Sequence, residues 1–415
     1  MQHEITWVAL AETLGARSRA LKPLLSAFGS PEGIFEADEQ ALLSAAPNLG
    51  KGVVAGLLRK TAFADARRIV LWCHKNGVTI LPMDSLAYPA RLRDIAEPPA
   101  LLYCRGILPD LDSGMVLGIV GPRHPDAYGE DLAYRFAFSL AAAGMTVVSG
   151  MAEGIDGIAA AGAIGAGGLT VAVLGCGIDI TYPKHHTRLA SEILSSGAII
   201  TEFAPGTKPN GRNFPIRNRI ISALSEAVFL PEAGEKSGAM ITARYALLQG
   251  KMLFAAPGDV SNPRSCGTNR LLAGGANLAL GAEDILAHFR FLYHDIIDEK
   301  SFLEAGQSAA LSEDVARRFG LRLAPREGDR KDAPKHIRAE AKPVALPEEE
   351  PREVVDLSML SDRQREIYAL LPDKPFTPDL LAAAGIPVAE AISTLTVFEI
   401  YALTESRPGG TYQKK

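Results

Sequence analysis

The sequence predicts an α/β protein built on a doubly wound, mainly parallel β-sheet. Short apolar runs rich in β-branched residues recur along residues 115–258, and most end in glycine or another turn residue. Helical segments such as GEDLAYRFAFSLAAAG and GAMITARYALLQG lie between them. Strands that alternate with helices in this way form parallel sheets with helices on both faces. The expected strands are MVLGIVG (115–121), MTVVSG (145–150), LTVAVLG (169–175), GAIIT (197–201), EAVFL (226–230) and KMLFAAPG (251–258).

Composition and cysteine usage indicate a soluble cytoplasmic protein. The 415 residues are 47% hydrophobic and 22% charged, which is ordinary for a globular chain of two or three domains. No apolar run approaches the ~20 residues that span a bilayer, and the N-terminus lacks the regions of a signal peptide. The four cysteines are far apart and form no CxxC pair, which favours reduced thiols. His185 and His186 have no HExxH-like context, so we predict no metal site.

Two further domains are expected to flank the core, which we place at residues 66–300. Residues 1–65 are expected to form a helical domain, in which LLSAAPNLGKGVVAGLL (42–58) is typical of two short helices joined by a glycine hairpin. This pattern fits a helix-hairpin-helix or SAM-like domain whose loop amides face a phosphate. A small bundle that only packs explains the pattern slightly better, and both interpretations stay open here.

The C-terminal third changes in composition. Residues 301–356 are expected to be a largely disordered linker, because proline and alternating charge replace apolar residues after about residue 320. Residues 357–415 return to helical patterns and end in a hairpin that turns at Pro408-Gly409-Gly410. Three helices and a hairpin predict a winged helix.

The common nucleotide motifs are incomplete in this chain. GCGIDI (175–180) follows an expected strand but has Ile180 where a GxGxxG motif needs its third glycine. A Walker A lysine motif and a GxSxG nucleophile elbow are both absent from the sequence. We therefore predict no nucleotide cofactor and no hydrolase chemistry of that kind.

The expected strand ends carry glycine and cationic residues, and ligands of open α/β sheets bind beyond the carboxyl ends of the strands. Arg123 follows the first of these strands, Ser149 and Gly150 stand at the next turn, and Lys236 and Ser237 come just before a helix. Free amides at a helix start favour an anion, and a lysine adds a full charge. At one turn alone, a tight connection that only needs glycine explains the sequence better. Several such turns on one edge favour an anion site.

The stretch RNFPIRNR (212–219) places three arginines around an aromatic ring in a chain of formal net charge -5. Its asparagine and proline are good residues for a helix start. Arg217 and Asn218 are therefore expected in the first turn, near the strand ends, with Phe214 at the entrance. Arg219 is expected to lie on the side of Ser222 and Glu226, as a solvated ion-pair partner.

Local charge supports a nucleic-acid ligand at this stretch. Residues 201–275 contain nine Lys/Arg and five Asp/Glu, a positive excess within an acidic chain. Arginines that clamp phosphates beside a ring on which a base can stack are what single-stranded nucleic acid requires. Phe214 is equally explained as a core residue, so stability has to be measured beside binding.

Six motifs, in this order and spacing, resemble the DNA processing protein A family (DprA, also called Smf). They are GIVGPRHPDAYG, SGMAEGIDGIAA, AVLGCGIDITYP, NFPIRNRIIS, KSGAMITAR and PGDVSNPRSCGTNRLLAGGA, and the resemblance covers roughly residues 70–290. It implies a Rossmann-like fold that has lost its nucleotide, and a homodimer that binds single-stranded DNA without being an enzyme. It also implies protection of incoming DNA and loading of the RecA recombinase in natural transformation, with single-stranded DNA-binding protein as a further partner.

The same resemblance, carried over residue by residue, implies a set of residues that contact DNA. The set is Gly121, Arg123, Ser149, Gly150, Phe214, Arg217, Asn218, Lys236 and Ser237. The chain departs from the family pattern at Pro122, Glu153 and Ala239. Glu153 adds negative charge near the expected pocket, which predicts a lower affinity than that of relatives.

The alternative to a DNA-binding protein is an enzyme. A nucleotide-binding Rossmann enzyme of the phosphoribohydrolase type would need PGGxGTxxE, but the comparable position reads PEAGEKSGAMITA. Glu232 and Glu235 remain as acids there and are better explained as structural.

In the C-terminal domain, the presumed recognition helix PVAEAISTLTVFEI contains Glu390 and Glu399 but no Lys or Arg. Duplex recognition usually needs basic or amide side chains, so we expect this domain to act in protein contacts or regulation, or to bind duplex at most weakly.

Overall fold

A computed structural model describes residues 1–325 completely and the C-terminal region in part. The chain divides into two compact units, Met1–Ala333 and Pro334–Lys415. Residues 326–356 of the expected linker therefore lie outside the described residues. The described C-terminal residues are 360, 362–372, 374, 376–378, 380–381, 384, 386–387, 391, 394–395, 397–398, 403–407 and 411–414.

The first unit contains one nine-stranded sheet in the order β1-β2-β6-β5-β4-β3-β7-β8-β9. All six predicted strands are confirmed as β3 to β8, and each pairs in parallel with its neighbours in this central group. Strands β3, β4, β5 and β7 are buried along their whole length, as expected for a sheet covered on both faces. The strands are β1 Thr79–Pro82, β2 Leu101–Gly106, β3 Val116–Ile119, β4 Thr146–Ser149, β5 Thr170–Val173, β6 Gly197–Thr201, β7 Ala227–Leu230, β8 Met252–Ala255 and β9 Asn277–Leu278.

The two edges of the sheet add strands that the periodicity did not reveal. β1 and β2 form an antiparallel pair, and β2 continues antiparallel onto β6. β9, which is only two residues long, pairs in parallel with β8. β9 carries too few residues for a repeat to show, and the pairing of β1 and β2 is decided by distant partners in the sheet.

Helices cover both faces of the sheet. α11 and α12 pack on one face through side chains such as Ile220 and Ala243, while α8 and α9 pack on the other through Leu140 and Ile158. None of the helices in the described part of the chain is long and apolar enough to cross a membrane. The helices are α1 Gln2–Leu14, α2 Leu21–Phe28, α3 Pro31–Glu36, α4 Glu39–Ala45, α5 Lys51–Arg59, α6 Phe63–Lys75, α7 Ala90–Asp94, α8 Ala127–Ala142, α9 Ile155–Gly165, α10 Thr187–Ser195, α11 Asn213–Leu224, α12 Ala239–Leu248, α13 Cys266–Ala273, α14 Ala282–Tyr293, α15 Glu299–Ser308, α16 Glu313–Phe319 and α17 Asp362–Ala369.

The boundary expected at residue 65 falls inside α6. This helix packs on α1, and buried residues of both helices, such as Val8 and Val70, belong to the same apolar cluster as the sheet. The two helices expected around the glycine hairpin of residues 42–58 are present as α4 and α5. Whether that hairpin binds a phosphate stays a prediction.

The first part of the predicted linker is ordered in the structure. Residues 301–325 belong to the first unit and are ordered. The helices α15 and α16 and the turn between them bury Phe302, Leu311 and Phe319. Ala324 then donates its amide N–H to Glu130 Oε1 at 2.7 Å. Scattered apolar residues are enough to dock two short helices on a large neighbouring surface, although their local composition is polar.

In the second unit, the described residues include α17 and an antiparallel pair of strands, β10 (Thr404–Arg407) and β11 (Thr411–Lys414). Phe376 also bridges to Tyr412 of the second strand. The Pro408-Gly409-Gly410 turn and both Glu390 and Glu399 lie outside the described residues. The winged-helix assignment therefore stays a prediction.

Candidate functional site

A cleft opens where the strand order of the sheet reverses. From β3 the chain builds β4, β5 and β6 to one side and then returns to build β7 and β8 on the other. The loops after β3 and β7 therefore separate at their common edge, which is where ligands bind in open α/β sheets. The cleft there has a volume of about 820 Å³. Of the nine predicted site residues, seven line it: Gly121, Arg123, Phe214, Arg217, Asn218, Lys236 and Ser237.

Two exposed cations stand at the rim. Arg123 lies in the loop after β3 and Lys236 in the loop after β7. Neither forms an ion pair with another residue of the described part of the chain. Both charges are therefore available to an anionic ligand.

The start of α12 faces the same cleft. Gly238 is its N-cap residue, and the Ser237 hydroxyl accepts the Ala239 N–H at 3.3 Å. Asn218 Nδ2 lies 3.5 Å from the Gly238 carbonyl oxygen and ties α11 to this turn. The first amides of a ten-residue helix carry partial positive charge, which adds to that of Lys236.

Phe214 is half-buried at the entrance of the cleft. Its ring packs against the backbone of Gly175, where a Cβ atom would lie only 2.9 Å from the ring, and its centroid is 5.6 Å from that of Tyr182. The Arg123 guanidinium lies 4.8 Å from the ring centroid, within cation–π distance. Neighbouring residues thus hold the ring in place, although it does not belong to the core. Its partner at the cleft, Arg123, has a long and flexible side chain.

The position of Arg217 corrects the prediction that it clamps a phosphate from an open first turn. Its side chain is 3% exposed. Its guanidinium donates to the Gly150 carbonyl at 2.8 Å and to the Val173 carbonyl, the latter by a shorter bond. Arg217 therefore forms the floor of the cleft by joining the ends of β4 and β5 to α11.

Ser149 and Gly150 lie beneath the cleft and do not line it. The Ser149 hydroxyl donates to the Ile119 carbonyl at 2.6 Å, and the Gly150 carbonyl accepts from Arg217. No side chain fits at residue 150, because a Cβ atom would overlap the Arg217 guanidinium. Both residues hold the floor in place, and a direct DNA contact stays a prediction that this geometry does not favour.

Arg219 is wrongly predicted as a solvated side chain. It is 1% exposed and donates two hydrogen bonds to Glu202, at 2.6 and 2.8 Å, in a bidentate ion pair. Its Nε also donates to the Glu97 carbonyl at 2.9 Å. The helical positions of Ser222 and Glu226 suggested one direction for this side chain, but Glu202, a distant residue in the sequence, determines another.

Asp156 supplies the negative charge at the floor. It is 6% exposed, and its Oδ2 lies 3.9 Å from Arg217. Burial raises its pKa above the ordinary value, against the Arg217 charge and the N–H groups of Gly121, Ala152 and Gly150. A Cβ atom at Gly121 would overlap Ile155, so glycine is required where β3 meets the start of α9.

The three departures from the family pattern differ in position. Pro122 and Ala239 line the cleft, whereas Glu153 lies outside it and pairs with Arg322 at 3.6 Å and with His185 at 3.8 Å. A cation from the ordered segment after α16 thus offsets the charge of Glu153. The expected loss of affinity from this residue has less support than its sequence position suggested.

The sequence analysis missed the loop between β8 and α13. Asn262, Pro263 and Arg264 line the cleft, and Arg264 keeps 54% of its side chain exposed. Ligands of open α/β sheets bind beyond the carboxyl ends of the strands. The loop PGDVSNPRSCG follows a predicted strand and contains a cation, so it meets this criterion as well. The reasoning that selects Arg123 and Lys236 therefore also selects Arg264.

Comparison with known proteins identifies the class to which this fold and cleft belong. Residues 79–290 match the family described as DNA recombination-mediator protein A. The chain belongs to this family, which confirms the resemblance seen in its motifs. The description is that of a mediator and not of an enzyme, in agreement with the prediction.

Individual relatives are similar over most of their length. The DNA processing protein DprA of Bacillus subtilis is 39% identical over 52% of this chain and 73% of its own. Protein Smf of Escherichia coli is 40% identical over 61% of this chain and 67% of its own. The X-ray structure of DNA processing protein A from Streptococcus pneumoniae superposes with a TM-score of 0.60 at 27% identity, covering 69% of this chain and 97% of that one.

Proposed function

We propose that the cleft binds single-stranded DNA. The observation that carries the proposal is the convergence of Arg123, Lys236 and Arg264 around Phe214 at the point where the strand order reverses. Four Lys/Arg and two Asp/Glu side chains line this cleft, in a chain that is acidic overall. A positive groove with an aromatic side chain is the usual means of binding a single strand without reading its sequence.

Phosphates of the strand fit the rim of the cleft. Arg123, Lys236 and Arg264 lie on three different loops, and the partial positive charge at the start of α12 lies beside Lys236. Charge-assisted hydrogen bonds of this kind are roughly twice as strong as neutral ones. Arg217 is left out of this set because its side chain is only 3% exposed and its Nη1 donates to two strand-end carbonyls.

A base of the strand fits against Phe214. Stacking needs a base whose face is free, which a single strand offers and an intact duplex does not. The Arg123 side chain above the ring is able to move aside for a base or to cover it as a second layer. In either arrangement the ring and the arginine act as one recognition unit.

The family description and the names of the relatives support a role in DNA recombination and processing. We infer that the chain protects incoming single strands in the cytoplasm and loads RecA onto them during natural transformation. It does so as a homodimer, with single-stranded DNA-binding protein as a further partner. The N-terminal helices serve as a helix-hairpin-helix or SAM-like domain and residues 357–415 as a winged helix.

A titration tests the proposal. A labelled oligothymidylate is bound to the full chain and displaced by unlabelled single- and double-stranded competitors at two salt concentrations. We expect the single strand to compete at least tenfold better than the duplex, and affinity to fall as salt rises. Equal competition by both forms would contradict the proposal. Release of ribose phosphate from a nucleoside monophosphate would instead favour the phosphoribohydrolase alternative.

A further inference from the structure

Beneath the rim, the loops that carry the three cations meet at the carboxyl groups of Asp126 and Glu232. Glu232 follows β7 and is 2% exposed, and Asp126 is the N-cap residue of α8. The Asp126 N–H donates to Glu232 Oε2 at 3.0 Å. Glu232 Oε1 is buried and has no hydrogen-bond partner among the described residues.

The pair also reaches the loop before α13. Asn262 Nδ2 donates to Asp126 Oδ2 at 3.1 Å, while Asp126 Oδ1 accepts the N–H groups of Tyr128 and Gly129. A Cβ atom at Gly129 would overlap the Glu232 carboxyl group, so α8 lies directly on it. All three loops of the rim are therefore fastened to one pair of acids, the buried Glu232 and the half-buried Asp126.

A buried carboxyl oxygen that accepts no hydrogen bond favours the neutral acid, because the ionised form would lose its hydration without compensation. Burial, followed by the negative charge of Asp126, raises the pKa of Glu232 to about 8, against the opposing Asp126 N–H and the Arg264 charge. Burial acts on Asp126 too, but the Gly129 N–H and the Asn262 amide hold its pKa below the ordinary value. At neutral pH the proton therefore resides on Glu232.

We propose that Glu232 carries a proton beside the ionised Asp126, that this proton keeps the two acids together and so positions the three loops, and that it leaves Arg264 free to bind a phosphate. Arg264 Nε lies 3.8 Å from Glu232 Oε1, and a neutral Glu232 does not cancel its charge. The charged groups that face Glu232 are Asp126, from the start of α8, and Arg264, from the loop before α13. The proposal rests on the proposed function, because it gives these two acids a positioning role in DNA binding.

The sign of the pH dependence follows from the site of the proton. As pH rises through about 8, Glu232 ionises beside Asp126, the two acids repel each other, and Arg264 is neutralised. Bound phosphates disfavour the same ionisation. DNA affinity is therefore expected to fall with rising pH, and binding near pH 8 is expected to take up a proton.

The test compares the full chain with Glu232→Gln, whose amide stays neutral at every pH and still accepts the Asp126 N–H. Affinity for labelled oligothymidylate is measured from pH 6.5 to 9 at constant ionic strength. We expect the unaltered chain to lose about tenfold, which corresponds to ~1.4 kcal/mol, and the variant to stay within about twofold. The control is Glu235→Gln, which removes a partly exposed acid from the rim. It is expected to shift affinity equally at every pH.

Two results would overturn the inference: parallel pH profiles for Glu232→Gln and the unaltered chain, or tenfold weaker binding by the variant at pH 7. Thermal unfolding supplies a readout without DNA. The folded state keeps Glu232 neutral, so the stability it contributes is complete below pH 4.5 and is lost as pH rises toward 8. The melting temperature of Glu232→Gln should thus gain on that of the unaltered chain between pH 5 and 8. If this gain appears but DNA does not bind at any pH, the proposed function fails while the protonation of Glu232 stands.

Discussion

The rim of the cleft and helix α11 beneath it both carry cationic side chains, but their partners differ. Arg217 and Arg219 are 3% and 1% exposed and are bound by carbonyl groups or a carboxylate of the protein. Arg123 and Lys236, on the loops above, have no ion-pair partner in the part of the chain that the structure describes. The same residue types thus hold the fold in one region and remain available to a ligand in the other. Buried donors and acceptors, and not the local density of arginines, decide which role a side chain takes.

The largest expected effect breaks the buried side of this comparison. Arg219→Ala leaves Glu202, 4% exposed, without its bidentate partner. Removing one member of a buried ion pair costs about 3–5 kcal/mol, and we expect that loss in the free energy of unfolding measured in urea. The control is Arg212→Ala, an exposed arginine of the same stretch, expected to cost less than about 0.5 kcal/mol. Equal stability of the two variants would show that Arg219 is dispensable to the fold.

A smaller effect, on binding, concerns the ring between the two regions. Phe214→Ala should weaken single-strand binding by about 1–3 kcal/mol through lost stacking, with little change in the salt dependence. Phe214→Trp keeps a stacking face and should retain most of the affinity. Thermal melting of both variants separates the alternatives left open by the sequence. If Phe214→Ala unfolds at a much lower temperature and binds normally when folded, the ring is a core residue.

These two residues show what sequence reasoning reaches and where it stops. The position of Phe214 at the cleft followed from the helix start at Asn213 and the edge of the parallel sheet, both of which depend on local patterns. The burial of Arg219 depends on Glu202 and Glu97, which come from other segments of the chain. No spacing within RNFPIRNR encodes such distant partners.

The fold divides in the same way. The six central strands and the sheet edge that forms the site were predictable, since apolar runs ending in glycine recur with helices between them. The antiparallel β1–β2 pair and the docked helices α15 and α16 were not. These segments become ordered through contacts with surfaces that distant parts of the chain form. Phe319 of α16, for example, is buried in such a contact.

A still smaller effect tests the exposed side of the comparison. Lys236→Ala should weaken all single strands alike, by about 1 kcal/mol, and reduce the slope of log affinity against log salt by ~0.7, the value for one phosphate contact. Stability should not change, because Lys236 is exposed and lies outside any described ion pair. The control is Lys300→Ala on α15, whose side chain is 85% exposed. An unchanged slope for Lys236→Ala would place the DNA backbone away from α12.

The smallest effect is expected from removing residues 326–415. The three loops of the rim and α11 all lie within the first unit, so single-strand affinity should change by less than tenfold, ~1.4 kcal/mol. This shortened chain keeps α16 and the hydrogen bond from Ala324 to Glu130. A second truncation after residue 310 removes Phe319, which is 1% exposed, and should lower the melting temperature because it uncovers an apolar surface. The contrary result is that the chain without residues 326–415 loses more than tenfold in single-strand affinity while its melting temperature is unchanged. That result would show that the C-terminal unit binds DNA itself and that the rim cations alone are insufficient.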